Sequence, residues 1–592
     1  MSYLKKLKAC SSQKDLAHLL GYTEKAFTHI LFSDEIHKKY HQFTIPKKTG
    51  GVRMILAPKP DLNLLQTRLN FILTESFNEL EKKRLEESSY IECIASHAFR
   101  KKINISLPTS KKDRTPIQLK EINFGIYSNA KKHVNKKYIL NIDLENFFEN
   151  IRFSRVVGFF SKNRDFSLDY DVALLLAQIV TYRSSKMTEA YLPQGSPCSP
   201  IISNLIGNML DIKMLKLAKK YKCTYTRYAD DLTFSTNTKE MPSDLVFFEE
   251  DIWKAGKVLT KNISSCGFKI NHKKTRLNNK YSRQEVTSLT VNRKVNINKQ
   301  YYRYSRSMVN EYCSKGIFYK SKYHMDLLKN NTNALNGILS FIYQIKKYES
   351  SYSDTKAREF SQLDSIEKLY VKFLFHYYFV FPQRTLIIGE GYTDPLHLKL
   401  AFHKLYNSSS AYIKFTSLQS TKRFSKLMGL SGGTGLLQKF LINYNTINKS
   451  KKIHPSPCII LVDGDSAGDS VIKTARSQFS ESFNLVGSSA SINSTEILDF
   501  YHIFNNLYIV KLPKNETIED LYDQTTLDMK ILGKSFNPSN KTIDTNIYYG
   551  KRDLYEKIIF ENQDLISFSG FDIVFNTIFH IQVYNYIKSL SK

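Results

Sequence analysis

The sequence predicts a multidomain protein, an α+β part followed by an α/β part, and three observations carry that expectation. Its 592 residues exceed what one hydrophobic core organises and imply roughly two to four folding units. A content of 42% hydrophobic and 13% aromatic residues can fill those cores. After Pro382 the pattern changes to apolar strands alternating with helices, which marks residues 381–592 as a separate α/β unit.

The formal net charge of +31 is unevenly placed. Residues 381–592 hold 23 Lys+Arg against 19 Asp+Glu, whereas residues 1–380 hold 63 against 36. Clustered cations neutralise phosphates and release counterions, so the first two-thirds of the chain is the expected grip on a polyanion. Seven cysteines, at 10, 93, 198, 223, 266, 313 and 458, are odd in number and contain no C-x-x-C pair. That argues against a disulfide framework or zinc ribbon and for a reducing, cytoplasmic setting. No signal peptide is read at the start. The most apolar run, KFLFHYYFVF at 372–381, has half the length of a membrane span, so a buried helix or strand is expected there and no membrane partner.

In chain order, residues 1–44 are expected to form a helical lead-in, because Leu16, Leu19, Leu20, Phe27 and Ile30 recur on one face after a Ser12 cap. IPKKTGGVRMILAPKP, 45–60, reads as two strands around Thr49-Gly50-Gly51, carrying Lys47, Lys48 and Arg53. YILNIDLENFFENI, 138–151, places Asp143 after a strand-like run, and YTRYADDLTFS, 225–235, places Asp230 and Asp231 between two such runs. Carboxylates of this kind suit hard cations: two Mg²⁺ ions about 3.5–4 Å apart can activate a hydroxyl and steady a leaving pyrophosphate. An isolated Asp-Asp is usually a solvated turn, but here LPQGSPCSPIISNL, 192–205, lies between the acid boxes as a Gly-Ser-Pro turn leading into a helix.

These three boxes in this order resemble the palm of reverse transcriptases. The resemblance implies a fingers, palm and thumb architecture, with fingers and palm over 45–300 and thumb and connector over 301–380. It implies Asp143, Asp230 and Asp231 as catalytic metal ligands, dNTPs as substrates, and two Mg²⁺ per site with Mn²⁺ as the alternative. By the same likeness Phe148 excludes a ribose 2′-hydroxyl, Gln194 lies against the incoming nucleotide, and Arg53 touches the triphosphate. In GFKINHKKT, 267–275, Lys274 is the cation that meets the base-paired end or a phosphate.

NAKKH, 129–133, just before the first acid strand, resembles the Asn-Ala-x-x-His signature of retron enzymes and points to Asn129 and His133 as RNA contacts. The family's Val-Thr-Gly motif is met by VTSLTVN, 286–292, with Ser288 in place of Gly, and Ala98 stands where many relatives carry Gly. The retron likeness spans roughly residues 10–380. It implies a cognate structured non-coding RNA, part of which is copied from a guanosine 2′-hydroxyl into a branched RNA–DNA product (msDNA), in a bacterial cytoplasm. Tyr301, Tyr302, Arg303, Tyr304 and Arg306 then suit a thumb that stacks on bases and holds phosphates, while a Tyr-rich helical core remains the alternative.

A second set of acids follows. In RTLIIGEGYTD, 384–394, Glu390 ends an apolar strand, and in IILVDGDSAGD, 459–469, Asp463 and Asp465 flank Gly464 after another. Acids at the carboxyl edge of an α/β sheet are where such folds build sites. The upstream Glu-Gly and the D-x-D-x-x-G spacing resemble the Toprim domain of topoisomerases, primases and OLD-type nucleases. This likeness implies a Rossmann-like fold and a metal site made by Glu390, Asp463 and Asp465, with Glu390 as general acid or base and a nucleic-acid substrate. Asp394 resembles an added acid of OLD-type enzymes, and Glu519 and Asp520 in TIEDLY are offered for a second metal, though a charged helix face also explains that pair. LSGGTGLL, 430–437, lacks the Gly-Lys-Ser/Thr of a phosphate-binding loop, so no ATP site is read there. The expected whole is a retron reverse transcriptase fused to a Toprim nuclease acting in antiphage defence. A group II intron maturase-like enzyme and an RNA-binding scaffold with a non-catalytic Toprim domain are the alternatives, with the oligomeric state left open.

Overall fold

The computed structural model describes residues 2–47, 50–87, 94–108, 116–185, 189–318, 331–348, 359–407, 412–418, 422–428, 435–448, 454–487, 496–537, 544 and 546–590. Lys48, Thr49, Cys93, residues 349–356 and most of the Gly-rich stretch at 430–437 lie outside them. The chain divides into two compact units, Met1–Asn298 and Lys299–Lys592.

In the first unit, Ser12 caps the helix Gln13–Leu19 in a reciprocal box with Asp15, and Leu16, Leu20 and Phe27 are buried as the periodicity predicts. The strands Tyr40–Pro46 and Val52–Pro58 pair antiparallel, and Gly50 and Gly51 in the turn both take positive φ. The central sheet has four antiparallel strands in the order Lys269–Asn279, Tyr138–Glu145, Asp231–Thr236, Thr224–Tyr228. Strand alternation sends Leu140, Ile142 and Leu144 to one face, where they join a core with Leu232, Phe234 and the helix Ser199–Lys220. The other face carries Asn141, Asp143, Asp231, Thr233 and Ser235. One side of the sheet is thus packed against the helix, and the other carries the acids.

The second unit has a six-stranded sheet in the order Ile413–Ser417, Thr385–Gly389, Cys458–Val462, Leu507–Lys511, Phe500–Phe504, Asn484–Gly487. The first four strands are parallel and the last two antiparallel. Both faces are covered: Ile388, Ile460 and Ile509 enter one core while Ile387, Ile459 and Val510 enter another. That double burial explains why these strands read as continuous apolar runs. The helices Lys299–Lys315, Thr332–Lys347 and Ser365–Phe375, expected as thumb and connector, contribute Met308, Leu339 and Phe375 to the same core as Ile388 and Ile460. The apolar run at 372–381 is buried helix, ending in a π-turn at His376–Val380. Among the described residues no helix is long and apolar enough to cross a membrane, and all six described cysteines are free thiols.

Candidate active sites

In the first unit the register puts Asp143 directly opposite Asp231 on neighbouring antiparallel strands, so both side chains leave the same face about 5 Å apart at Cβ. Asp230 sits in the two-residue turn that joins Tyr228 to Asp231, and its carbonyl accepts the Leu144 N–H at 3.1 Å. The three sequence-predicted acids therefore converge where two strands meet a hairpin tip. Burial first, then Asp230 and Asp143, push the Asp231 carboxyl up to about 7. Burial and Asp143 also raise Asp230, while Lys274 and Arg53 oppose that rise.

Lys274 donates to both oxygens of Asp143 at 3.0 Å, so the residue expected to meet a phosphate here supplies the positive charge at the acids. A polar cavity of about 220 Å³ opens beside them, lined by Asn141, Thr233, Arg276, Thr287 and Ser288. The Thr287–Ser288 turn takes positive φ at both residues, 47° and 64°, which explains why a glycine would suit position 288. Arg53 is exposed on its hairpin strand, Gln194 accepts the Leu56 N–H at 2.8 Å through its carbonyl, and Phe148 is half-buried against Phe147.

His133 and Asn129, expected as RNA contacts, are 0% and 1% exposed. The His133 ring joins Ser235 through Nδ1 and Thr226 through Nε2, both at 2.7 Å, and burial pushes its pKa down to about 3. A neutral ring locked between two strands of the hairpin ties that hairpin down and leaves no edge for RNA. On the helix Lys299–Lys315, Tyr301 and Tyr304 are 38% and 42% exposed, Arg303 and Arg306 are exposed, and Tyr302 is half-buried, packed against the core.

In the second unit Glu390 and Asp463 follow adjacent parallel strands at their carboxyl ends. Gly464 allows the chain to pass Pro513, whose carbonyl would lie 1.6 Å from an added Cβ. Burial pushes Asp463 up to about 8, with Asp394, Glu519 and Glu390 adding to the rise and Lys551 opposing it. Asp394 is 8% exposed and accepts the Gly391 N–H at 2.7 Å. Glu519, 1% exposed, accepts from Lys551 at 2.8 Å. Asp394, Asp463 and Glu519 thus share the field of Lys551, a cation that no sequence motif announced, and Glu390 adds its charge at Asp463. Two of the expected ligands also serve as caps. Asp465 caps the helix Ser466–Gln478, taking the Ala467 and Gly468 N–H groups at 2.9 Å on Oδ1. Asp520 accepts from the Thr517 N–H and hydroxyl at 2.7 and 2.8 Å, so the exposed member of the Glu-Asp pair is a cap and the buried one pairs with Lys551.

Among the described residues no three His, Cys, Asp or Glu side chains are drawn together as a ready metal cage. The donor sets nevertheless suit a hard divalent cation: all are carboxylates, one in each set, Asp231 and Asp463, is pushed up to about 7 and about 8, and each set already holds one ammonium. A bound divalent ion would supply Lewis-acid stabilisation of oxyanions there.

An antiparallel sheet with paired acids at a hairpin tip is the palm of a template-directed polymerase, and residues 45–297 match the family described as Reverse transcriptase (RNA-dependent DNA polymerase). The chain is 27% identical over 339 residues to the retron Mx65 reverse transcriptase of Myxococcus xanthus, covering 55% of this chain and 68% of that one. It is 31% identical over 252 residues to the retron Ec86 enzyme of Escherichia coli, covering 42% and 66%, and 28% identical over 335 residues to the retron Ec83 enzyme, covering 56% and 90%. Among solved structures it is similar to telomerase from Candida albicans, with a TM-score of 0.30 and 12% identity over 75% of this chain and 64% of that chain. This polypeptide is an RNA-directed DNA polymerase, and its polymerase domain is of the kind found in retron reverse transcriptases. Enzymes of this class depend on divalent metal.

Proposed function

We propose that the chain copies part of a cognate structured RNA into a branched RNA–DNA product, and that its second unit is a Toprim-like, metal-dependent phosphodiesterase acting on nucleic acid in antiphage defence. The observation that carries the polymerase reading is the register of Asp143 against Asp231, with Asp230 in the adjoining turn. These carboxylates would hold Mg²⁺, Arg53 would steady the triphosphate and Lys274 would move from Asp143 to a phosphate. The nuclease reading rests on Glu390 and Asp463 at the carboxyl ends of adjacent parallel strands, with Asp394, Glu519 and Lys551 in the same electrostatic neighbourhood. There Asp463 and Glu390 would hold metal, and the ammonium would face the negative charge that builds on the phosphate.

Sequencing nucleic acid that co-purifies with the protein tests the first part: a short branched RNA–DNA species is expected, and an intron RNA would replace the reading with a maturase. Asp463→Ala separates the two sites. It is expected to abolish Mg²⁺-dependent cleavage and to leave nucleotide incorporation on a primed RNA template within about twofold of wild type. Equal loss of both activities would mean that a single site performs them.

A further inference from the structure

We propose that Arg227, clamped by Asp211, is a positioning residue that fixes the turn carrying Asp230. Arg227 lies on the strand Thr224–Tyr228, and alternation turns it away from the acids onto the core face. It is wholly buried, a costly place for a guanidinium unless its donors are met. Asp211, on the helix Ser199–Lys220, takes Nε at 2.8 Å and Nη2 at 2.7 Å in a two-pronged pair, and the Tyr225 hydroxyl adds a bond of 2.9 Å to the same carboxylate. That fork fixes the plane of the guanidinium. Its remaining nitrogen, Nη1, donates to the Ala229 carbonyl at 3.2 Å.

Ala229 is the first residue of the turn and takes φ of 57°, a left-handed conformation that an L-residue holds only when its surroundings impose it. Its carbonyl belongs to the peptide whose N–H is that of Asp230, so holding that oxygen orients the Ala229–Asp230 plane. The next carbonyl, that of Asp230, is held by the N–H of Leu144, the residue after Asp143. Asp230 is therefore gripped on both sides, from the helix below through Arg227 and from the neighbouring strand. The helix is shaped for this. Asn204, Gly207 and Asp211 share one face, and a Cβ on Gly207 would stand 2.8 Å from the guanidinium carbon.

The proposal rests on reading Asp230 as an acid of the polymerase site, so Asp230→Asn is assayed beside the Arg227 variants. Arg227→Lys keeps the charge but loses the fork, and Gly207→Ala keeps Arg227 and Asp211 but displaces the guanidinium. Both are expected to lower kcat for nucleotide incorporation by roughly 10- to 100-fold. The dNTP KM and the primer–template Kd should stay within about threefold, and half-saturation by Mg²⁺ should move to higher concentration. Wild-type kcat in both variants would overturn the role. So would parallel loss of kcat, template binding and helical circular dichroism, which marks general unfolding. Full activity in Asp230→Asn would overturn the site assignment itself, and the Arg227 role with it.

Discussion

Asp231 and Asp463 are acids whose protons are retained by burial and by neighbouring carboxylates, up to about 7 and about 8. The stabilisation from each proton is complete below the ordinary Asp range and is lost as pH climbs through the raised value. Without metal, both sites therefore weaken the fold between pH 6 and 8. A divalent cation held by these carboxylates would bind their deprotonated form and remove that penalty. The rise in Tm on adding Mg²⁺ is expected to be larger at pH 8 than at pH 6, by differential scanning fluorimetry. Equal rises at both pH values would show that these carboxylates do not take the metal. Asp143, Asp230 and Asp231 were readable in the sequence because strand alternation and a two-residue turn leave little choice of direction. Asp465 and Asp520 each cap their own turn through one carboxylate oxygen, and spacing alone does not separate a side chain that caps from one that ligates. Lys551 could not be found at all: it reaches the acids through tertiary packing and sits in no motif.

At the scale of elements, the hairpin that carries Asp230 and Asp231 is held from several directions. His133 ties its two strands together through Thr226 and Ser235, and Arg227 anchors it to the helix Ser199–Lys220. The Asn-Ala-x-x-His segment, which resembled an RNA-reading signature, has its histidine and asparagine inside the palm. A sequence motif marks that residues matter without saying whether they face solvent, and burial of a polar ring between two hydroxyls is a tertiary outcome. Ser288 shows the opposite case, since its departure from Gly was legible and the turn explains it. Ser288→Gly is expected to raise stability by up to about 1 kcal/mol, the relief of left-handed strain exceeding the added chain entropy. Urea denaturation measures this, and a lower midpoint would contradict the strained turn.

For the whole molecule, the change of pattern after Pro382 falls where the strands of the second sheet begin, well past the boundary between the two units. The contacts divide the chain after Asn298. Periodicity shows that 301–348 is helical, yet it cannot show which sheet those helices cover. The charge excess of residues 1–380 has its own consequence for binding. Nucleic-acid affinity of the full chain is expected to fall by at least about tenfold between 50 and 200 mM salt, measured by fluorescence anisotropy. A flat salt response would remove phosphate neutralisation as the basis of the grip.

The oily interior shared by Met308, Tyr312 and Phe375 with Leu386 and Ile460 bears on how the gene can be cut. A stop codon placed after residue 380 would strip those helices of their sheet, and a start codon at 381 would strip the sheet of its helices. Each fragment is expected to go to inclusion bodies, while a fragment beginning at Lys299 stays in the supernatant after centrifugation. The gene is therefore better divided before Lys299 than at residue 381.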